Sequence, residues 1–152
     1  MDNIVYDCRW SDELDEKFIA DFIATENAVF HGNYTVEQFR RKYMDNIYGK
    51  SVVEVVYLEG KPVAARGLWR NDIGGQAAYQ PGDTCVTEVC RGKGIFTEMT
   101  KRSIAMLADE DIVYNFPNQN SFPGYMKMGW KLIHEYGMVL FTGVKKPIYL
   151  SI

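Results

Sequence analysis

Apolar and polar positions follow two rhythms along the chain, and the changes between them mark out the elements. Ile4-Val5-Tyr6 predicts a short first strand. Leu14, Phe18 and Phe22 recur at helical spacing with Ile19 and Ile23 beside them, which predicts a helix with one apolar face. Ser11 is its expected cap, with Asp12 and Glu13 placed to favour the first-turn dipole. His31-Gly32-Asn33 ends it. Thr35-Val36-Glu37-Gln38 matches a capping box. The second helix it opens carries Val36, Phe39, Tyr43 and Ile47 on one side and is expected to stop at Gly49. The rhythm then shortens. Val52 to Leu58 is rich in β-branched residues, Glu59-Gly60 is a tight turn, and Pro62 to Trp69 returns as a second strand. Beyond the turn Asn71-Asp72-Ile73-Gly74-Gly75, a third strand runs from Gln76 towards Thr87. Pro81-Gly82 within it predicts an edge, a bulge or a bend.

Arg91-Gly92-Lys93-Gly94 then leads into Ile95, Phe96, Met99, Ile104, Met106 and Leu107 at helix-like spacing. Asp111 to Phe116 predicts a buried strand. Ser121 is expected to cap a short helix that contains Tyr125 and Met126 and stops at Gly129. Trp130, Leu132, Ile133, Met138, Val139, Leu140 and Phe141 supply the last strands. The order of elements predicts a mixed α+β sheet with helices on both faces. With no linker, repeat or low-complexity stretch, one domain over residues 1–152 is expected.

Composition narrows the function classes. A chain of 152 residues, 47% hydrophobic and 24% charged, has the make-up of an ordinary globular domain with enough length for a core. Its net charge of -3 argues against a basic surface that wraps nucleic acid. No apolar run approaches the roughly 18 residues of a membrane span, and Met1-Asp2-Asn3-Ile4 lacks the pattern of a signal peptide. Cys8, Cys85 and Cys90 are odd in number and read as reduced thiols of a cytoplasmic protein. Cys85 and Cys90 lack the spacing of a metal hook and only His31 and His134 could join them, so no metal is expected.

The candidate chemistry begins at the glycine loop. Unpaired N–H groups at a helix start, the helix dipole and close approach allowed by glycine together favour a phosphate. From Arg91 to Arg102 the formal charge is +3, a local patch suited to a small anionic ligand. A Walker loop fails, because Gly94 follows Gly92-Lys93 and Thr87 stands where its first glycine belongs. A dinucleotide fingerprint from Gly92 fails at Thr97.

Downstream lies the segment from Phe116 through Pro117-Asn118-Gln119-Asn120-Ser121-Phe122-Pro123-Gly124-Tyr125 to Gly129-Trp130. Together the two segments resemble the GNAT superfamily of acetyl-CoA-dependent N-acetyltransferases. The family's Gln/Arg-x-x-Gly-x-Gly/Ala motif reads Val89-Cys90-Arg91-Gly92-Lys93-Gly94, with Val89 departing from its first position. The later motif, an Asn seven residues before a Tyr and then Gly-aromatic, is matched by Asn118, Tyr125 and Gly129-Trp130. Pro123-Gly124 departs from the commonest pattern and looks like the branch with a Phe-Pro-Asn-x-Asn-Ser segment.

The resemblance implies a central mixed, mostly antiparallel sheet flanked by helices, with a splayed V between the fourth and fifth strands. It implies acetyl-CoA as co-substrate, with its pyrophosphate on the amides of Arg91, Gly92, Lys93, Gly94, Ile95 and Phe96. The pantetheine arm would pair with an exposed strand edge, and the Val86 N–H would hold the thioester oxygen. Tyr125 matches the tyrosine that protonates the departing thiolate in many members. A phenol with a reference pKa of about 10 keeps its proton for that task. Asn118 and Ser121 would contact the cofactor arm or cap the helix. For the base, Asp83 is the first candidate and Glu88 the second. Plain burial is the structural alternative for Val86 and Tyr125, and an exposed turn or strand position for the two acids. Cys85 and Cys90 read as structural, since direct amine attack needs no covalent enzyme intermediate.

The expected activity is transfer of an acetyl group from acetyl-CoA to a primary amine by direct attack in a ternary complex. The alternative is a catalytically weak or inactive module that binds or senses acyl-CoA. A small-molecule acceptor (amino sugar, polyamine or amino acid) is preferred to a protein. No nucleic-acid or membrane partner is expected, and a homodimer stays open.

Overall fold

The computed structural model describes residues 3–133, 136–139 and 148–151. The chain forms two compact units, residues 1–116 and 117–152. The first holds β1 (Ile4–Trp10), α1 (Glu16–Phe30), α2 (Val36–Tyr43), β2 (Val52–Leu58), β3 (Lys61–Arg70), β4 (Ala78–Val86), a 3₁₀ turn at Glu88–Cys90, α3 (Ile95–Ala105) and β5 (Ile112–Val113). The second holds α4 (Phe122–Lys127) and an antiparallel ribbon of β6 (Tyr136–Val139) and β7 (Ile148–Ser151). Leu140, Phe141 and His134 lie outside the described residues.

In the first unit the strands stand in sequence order, β1 to β5. The first four are antiparallel neighbours and β5 is parallel to β4. β2 is covered on both faces, which explains its unbroken run of Val52, Val53, Val55 and Val56. Val53 and Val55 meet Phe18, Ile19, Phe22, Phe39 and Tyr43 of α1 and α2. Val56 meets Ile95 and Met99 of α3 on the other face. Phe22, Phe39 and Tyr43 form a mutual aromatic cluster with ring centroids 5.0–5.9 Å apart, the inclined geometry that ring quadrupoles favour.

Several boundaries differ from expectation. α1 is capped by Asp15, whose carboxylate accepts from Phe18 N at 2.8 Å. Ser11 is instead buried and accepts from Ser51 N, which ties the end of β1 to the start of β2. α2 has the expected capping box but ends at Tyr43, and Ile47 beyond it is exposed. The third strand starts at Ala78, because Gln76 is bridged back to Ile73 in the turn. β5 is two residues long and half-buried rather than a buried strand of six. Ser121 stands at the expected cap position of α4, but its side chain makes no capping bond, and Trp130 to Ile133 precede the ribbon rather than joining it.

One buried acid strains the α3 face. Glu54 sits opposite Arg66 in the β2–β3 register, and both are fully buried. Neither Glu54 carboxyl oxygen has a hydrogen-bond partner among the described residues. Burial pushes its carboxyl up to about 8, against the pull of Arg66 and Arg102. The folded protein therefore keeps a proton that the unfolded chain sheds near the ordinary value of 4.5. Folding takes up that proton between these limits, so this group lowers stability as pH rises through the window. Glu54→Gln should remove up to roughly 1.4 kcal/mol per pH unit from the slope of stability against pH there. Urea unfolding at pH 5, 6.5 and 8 measures it, and equal slopes in both proteins would mean that Glu54 is ionised when buried.

Candidate active site

Strand β4 carries an irregularity where Pro81-Gly82 foretold one. Gly67 faces Gly82 and Ala65 faces Cys85, so Asp83 and Thr84 together oppose the single residue Arg66. This is a β-bulge, and Asp83 takes a left-handed φ of 48° within it. Beyond the bulge Val86 faces Ala64, while Thr87 N bonds to Val63 O at 2.9 Å. That pattern makes Val86 and Ala64 a non-hydrogen-bonded pair, so the Val86 N–H and C=O point away from β3. They point to the side where β5 has already left. The β4–β5 pairing covers only Ala78–Ile112 and Tyr79–Val113, followed by one bond from Tyr114 N to Tyr79 O. Among the described residues no strand pairs with the outer edge of β4 beyond that point, and this is the expected V.

The glycine loop follows directly. Arg91, Gly92, Lys93 and Gly94 are exposed, and Ile95, the first residue of α3, is buried. Arg91 Nε donates to Val86 O at 3.3 Å. Gly92 and Gly94 have φ of 76° and 78°, and a Cβ at either would meet nothing within 4 Å. Gly94 occupies the cap position of α3 and offers no capping side chain. The first intrahelical bond is Glu98 N to Gly94 O, so the N–H groups of the first turn precede the helix ladder. The loop is thus a positive, backbone-lined cradle that a side chain would fill. Thr87 Oγ1 beside it is buried with no hydrogen-bond partner among the described residues. These features fit a pyrophosphate and an amide-bearing arm. Val89 is largely exposed, as is Glu88.

A polar cluster lies on the α1/α2 face of β4. Asp83 Oδ1 accepts from Lys42 Nζ at 2.9 Å, and Oδ2 accepts from Tyr43 Oη at 2.7 Å and Tyr34 Oη at 3.2 Å. Burial and the neighbouring carboxylate raise both phenols above their ordinary range, so they remain donors. Tyr43 reaches Asp83 only because its hydroxyl and ring edge occupy the space that a Cβ on Gly67 would take. Glu26 of α1 belongs to the same cluster and was missed by the sequence reading. It is buried, and its Oε1 has no hydrogen-bond partner among the described residues. Burial, reinforced by Asp83 and opposed by Cys85 and Lys42, pushes its carboxyl up to about 7. The one signal in the sequence was its helical spacing after Phe18, Ile19 and Phe22, which sets a carboxylate on the apolar face. Cys85 is buried and its thiol is raised by burial and by Glu26, while Cys90 is almost fully covered. Among the described residues no group of three or more His, Cys, Asp or Glu side chains is placed to hold a metal.

In the second unit Asn118 and Ser121 bind each other. Asn118 Oδ1 accepts from Asn120 N and Ser121 N, both at 3.0 Å, and from Ser121 Oγ at 3.2 Å. This turn delivers the chain into α4. Tyr125 is buried on that helix. Trp130 N bonds to Tyr125 O, Gly129 N bonds to Met126 O, and Gly129 has a φ of 86°. That is a Schellman cap, and the Tyr125 and Trp130 rings, 4.6 Å apart, supply its apolar contact. The Tyr-to-Gly-aromatic spacing in the sequence is the spacing of this cap.

The model of the acetyltransferase (GNAT) domain matches residues 12–133. The chain belongs to the GNAT acetyltransferase family. Comparison with curated proteins finds no match. Among solved structures, ElaA of Escherichia coli is similar with a TM-score of 0.69 and 16% identity, covering 95% of each chain. A predicted acetyltransferase from Clostridium acetobutylicum, solved with acetyl-CoA, has a TM-score of 0.64 and 16% identity over 84% of this chain and 90% of its own. An aminoglycoside acetyltransferase from an uncultured soil metagenomic sample, in complex with trehalose, has a TM-score of 0.64 and 17% identity over 94% and 97%. At these identities the likeness is one of fold. No helix among the described residues is long and apolar enough to cross a membrane.

Because Tyr43 rests on Gly67, Gly67→Ala should displace the phenol from Asp83 and cost about 1–3 kcal/mol by overpacking. Denaturant unfolding measures it, and unchanged stability would show that the ring has room to move.

Proposed function

We propose that residues 1–152 form one N-acetyltransferase domain, cytoplasmic and acetyl-CoA-dependent, whose acceptor is a small primary amine. The observation that carries the reading is the glycine cradle at the start of α3 beside a released β4 edge. Glycines with φ of 76° and 78° leave open space before the first helical turn, and the dipole and unpaired donors there favour a pyrophosphate. Arg91, Lys93, Ile95 and Phe96 frame that cradle. The arm of the cofactor would add to β4 as a strand does. The outward N–H of Val86 would then donate to the thioester oxygen and stabilise the charge that grows on it.

The amine approaches from the α1/α2 face, where Glu26 and Asp83 supply negative charge suited to a cation. The free amine attacks the carbonyl carbon, the C–S bond breaks, and Tyr125 gives its proton to the thiolate. Asn118 and Ser121 hold the turn that leads to Tyr125. Asp83, whose oxygens already accept three bonds, suits anchoring the ammonium better than removing its proton. The aminoglycoside acetyltransferase among the similar structures supports a small-molecule acceptor.

Calorimetry should show acetyl-CoA binding to the wild type. Gly94→Ala places a methyl in the cradle and should weaken binding at least about tenfold, or 1.4 kcal/mol. Tyr125→Phe should lower kcat about 10²-fold or more while acetyl-CoA affinity holds. Release of thiol from acetyl-CoA with glucosamine, spermidine and lysine methyl ester reads turnover. Binding without release for every amine would mark a sensing module instead, and unchanged turnover in Tyr125→Phe would remove it from the mechanism.

A further inference from the structure

We propose that Glu26 is the group that takes the proton from the acceptor ammonium, while Asp83 anchors that ammonium. The inference rests on the acetyltransferase reading above and adds a residue that neither the motifs nor the strand pattern marks. Four observations converge on it. Glu26 is buried to within 8% of full cover, and one of its carboxyl oxygens finds no hydrogen-bond partner among the described residues. An orphaned, buried carboxyl oxygen is costly in a fold and calls for an explanation, of which a catalytic role is one. Glu26 also adjoins the thiol of Cys85, the residue whose peptide link carries the outward Val86 N–H. A carboxyl there stands one residue away from the thioester site, on the face opposite α3. Finally, Asp83 is occupied by Lys42, Tyr43 and Tyr34, so the two acids of the cluster differ in what they can still accept.

Every group that faces Glu26 tunes it in a known direction. From β4, Asp83 raises its affinity for a proton and the Cys85 thiol lowers it; from α2, Lys42 lowers it. Tyr34 and Tyr43 are held as neutral phenols by burial and Asp83, and β3 presents Ala65 and Gly67 on this side. The balance leaves a carboxyl near 7, the range in which a base is half ready at neutral pH and still strong enough to work. Two carboxylates with different surroundings and different tasks is a recurrent arrangement in acid–base sites.

The protons balance. The acceptor arrives as an ammonium and gives one proton to the Glu26 carboxylate, which passes it to water. The amine nitrogen forms its bond to the acetyl carbon, and the C–S bond breaks. The proton that the nitrogen then loses replaces the one that Tyr125 gives to the coenzyme thiolate.

The test is the pH profile of kcat/KM, measured with acetyl-CoA and whichever of glucosamine, spermidine and lysine methyl ester turns over fastest. The wild type should lose activity as pH falls through about 7, because Glu26 becomes protonated. Glu26→Gln, which keeps shape and fold, should lose that limb and run about 10²–10⁴-fold slower, with acetyl-CoA affinity by calorimetry within about twofold. Glu26→Asp should keep the limb at reduced rate, since a carboxylate remains. Asp83→Asn should raise KM and keep the limb, moved to lower pH because the charge that raises the Glu26 carboxyl is gone. A Glu26→Gln enzyme with the wild-type limb and rate overturns the assignment while leaving the acetyltransferase reading intact. A wild type that binds no acetyl-CoA overturns the reading and the assignment together.

Discussion

The site depends on one extra residue in β4. Side chains alternate across a strand, so a shift of one position exchanges the two faces. Without the bulge, Asp83 would face Arg66 on the α3 side and Thr84 would face Ala65. With it, Asp83 and Thr84 share the place opposite Arg66, and Cys85 takes the place opposite Ala65. Asp83 then reaches Lys42, Tyr34 and Tyr43. The same shift brings Cys85 to Glu26 and aims the Val86 N–H outwards. A single irregularity therefore sets an acidic cluster on one face of β4 and a free backbone donor on its edge.

The two faces of the sheet treat buried charge differently. On the α3 side, Glu54 lies under the helix with burial holding its proton on, beside Arg66, which donates to Thr100 Oγ1 and stacks its guanidinium 5.3 Å from the Phe96 ring. On the α1/α2 side, Asp83 is met by an ammonium and two phenols, and Lys42 lies 5.7 Å from the Trp69 ring. Buried ionisable groups lower stability unless paired. The aromatic cluster of Phe22, Phe39 and Tyr43 offsets that cost locally and also fixes the phenol that Asp83 needs. Packing and site chemistry are joined in Tyr43, whose ring is core and whose hydroxyl is site.

Much of this was legible in the residues. The order of elements follows from periodicity because β2 and the apolar helix faces have few ways to be buried. Pro81-Gly82 announced a disturbance in β4, since proline cannot serve a regular ladder. The two motifs announced the cradle and the α4 cap because both are local: glycine is needed at left-handed positions, and a Schellman cap fixes the distance from Tyr125 to Trp130. Helix limits were less legible. Ser11 and Ser121 have the side chains of caps, but Ser11 serves a strand junction and Ser121 a turn with Asn118. A hydroxyl bonds whichever backbone group the fold brings near it.

By itself, the sequence determined the family, the order of elements and the loop that opens α3, because each of these rests on residues close together in the chain. The tertiary structure alone decided which carboxylates share a site. Glu26, Tyr34, Lys42, Asp83 and Cys85 come from three elements and a connecting turn, separated by up to 59 positions, and only the β4 bulge and the packing of α1 and α2 bring them together. Their protonation follows from that assembly, since burial and neighbouring charge act through space and leave no trace in local spacing.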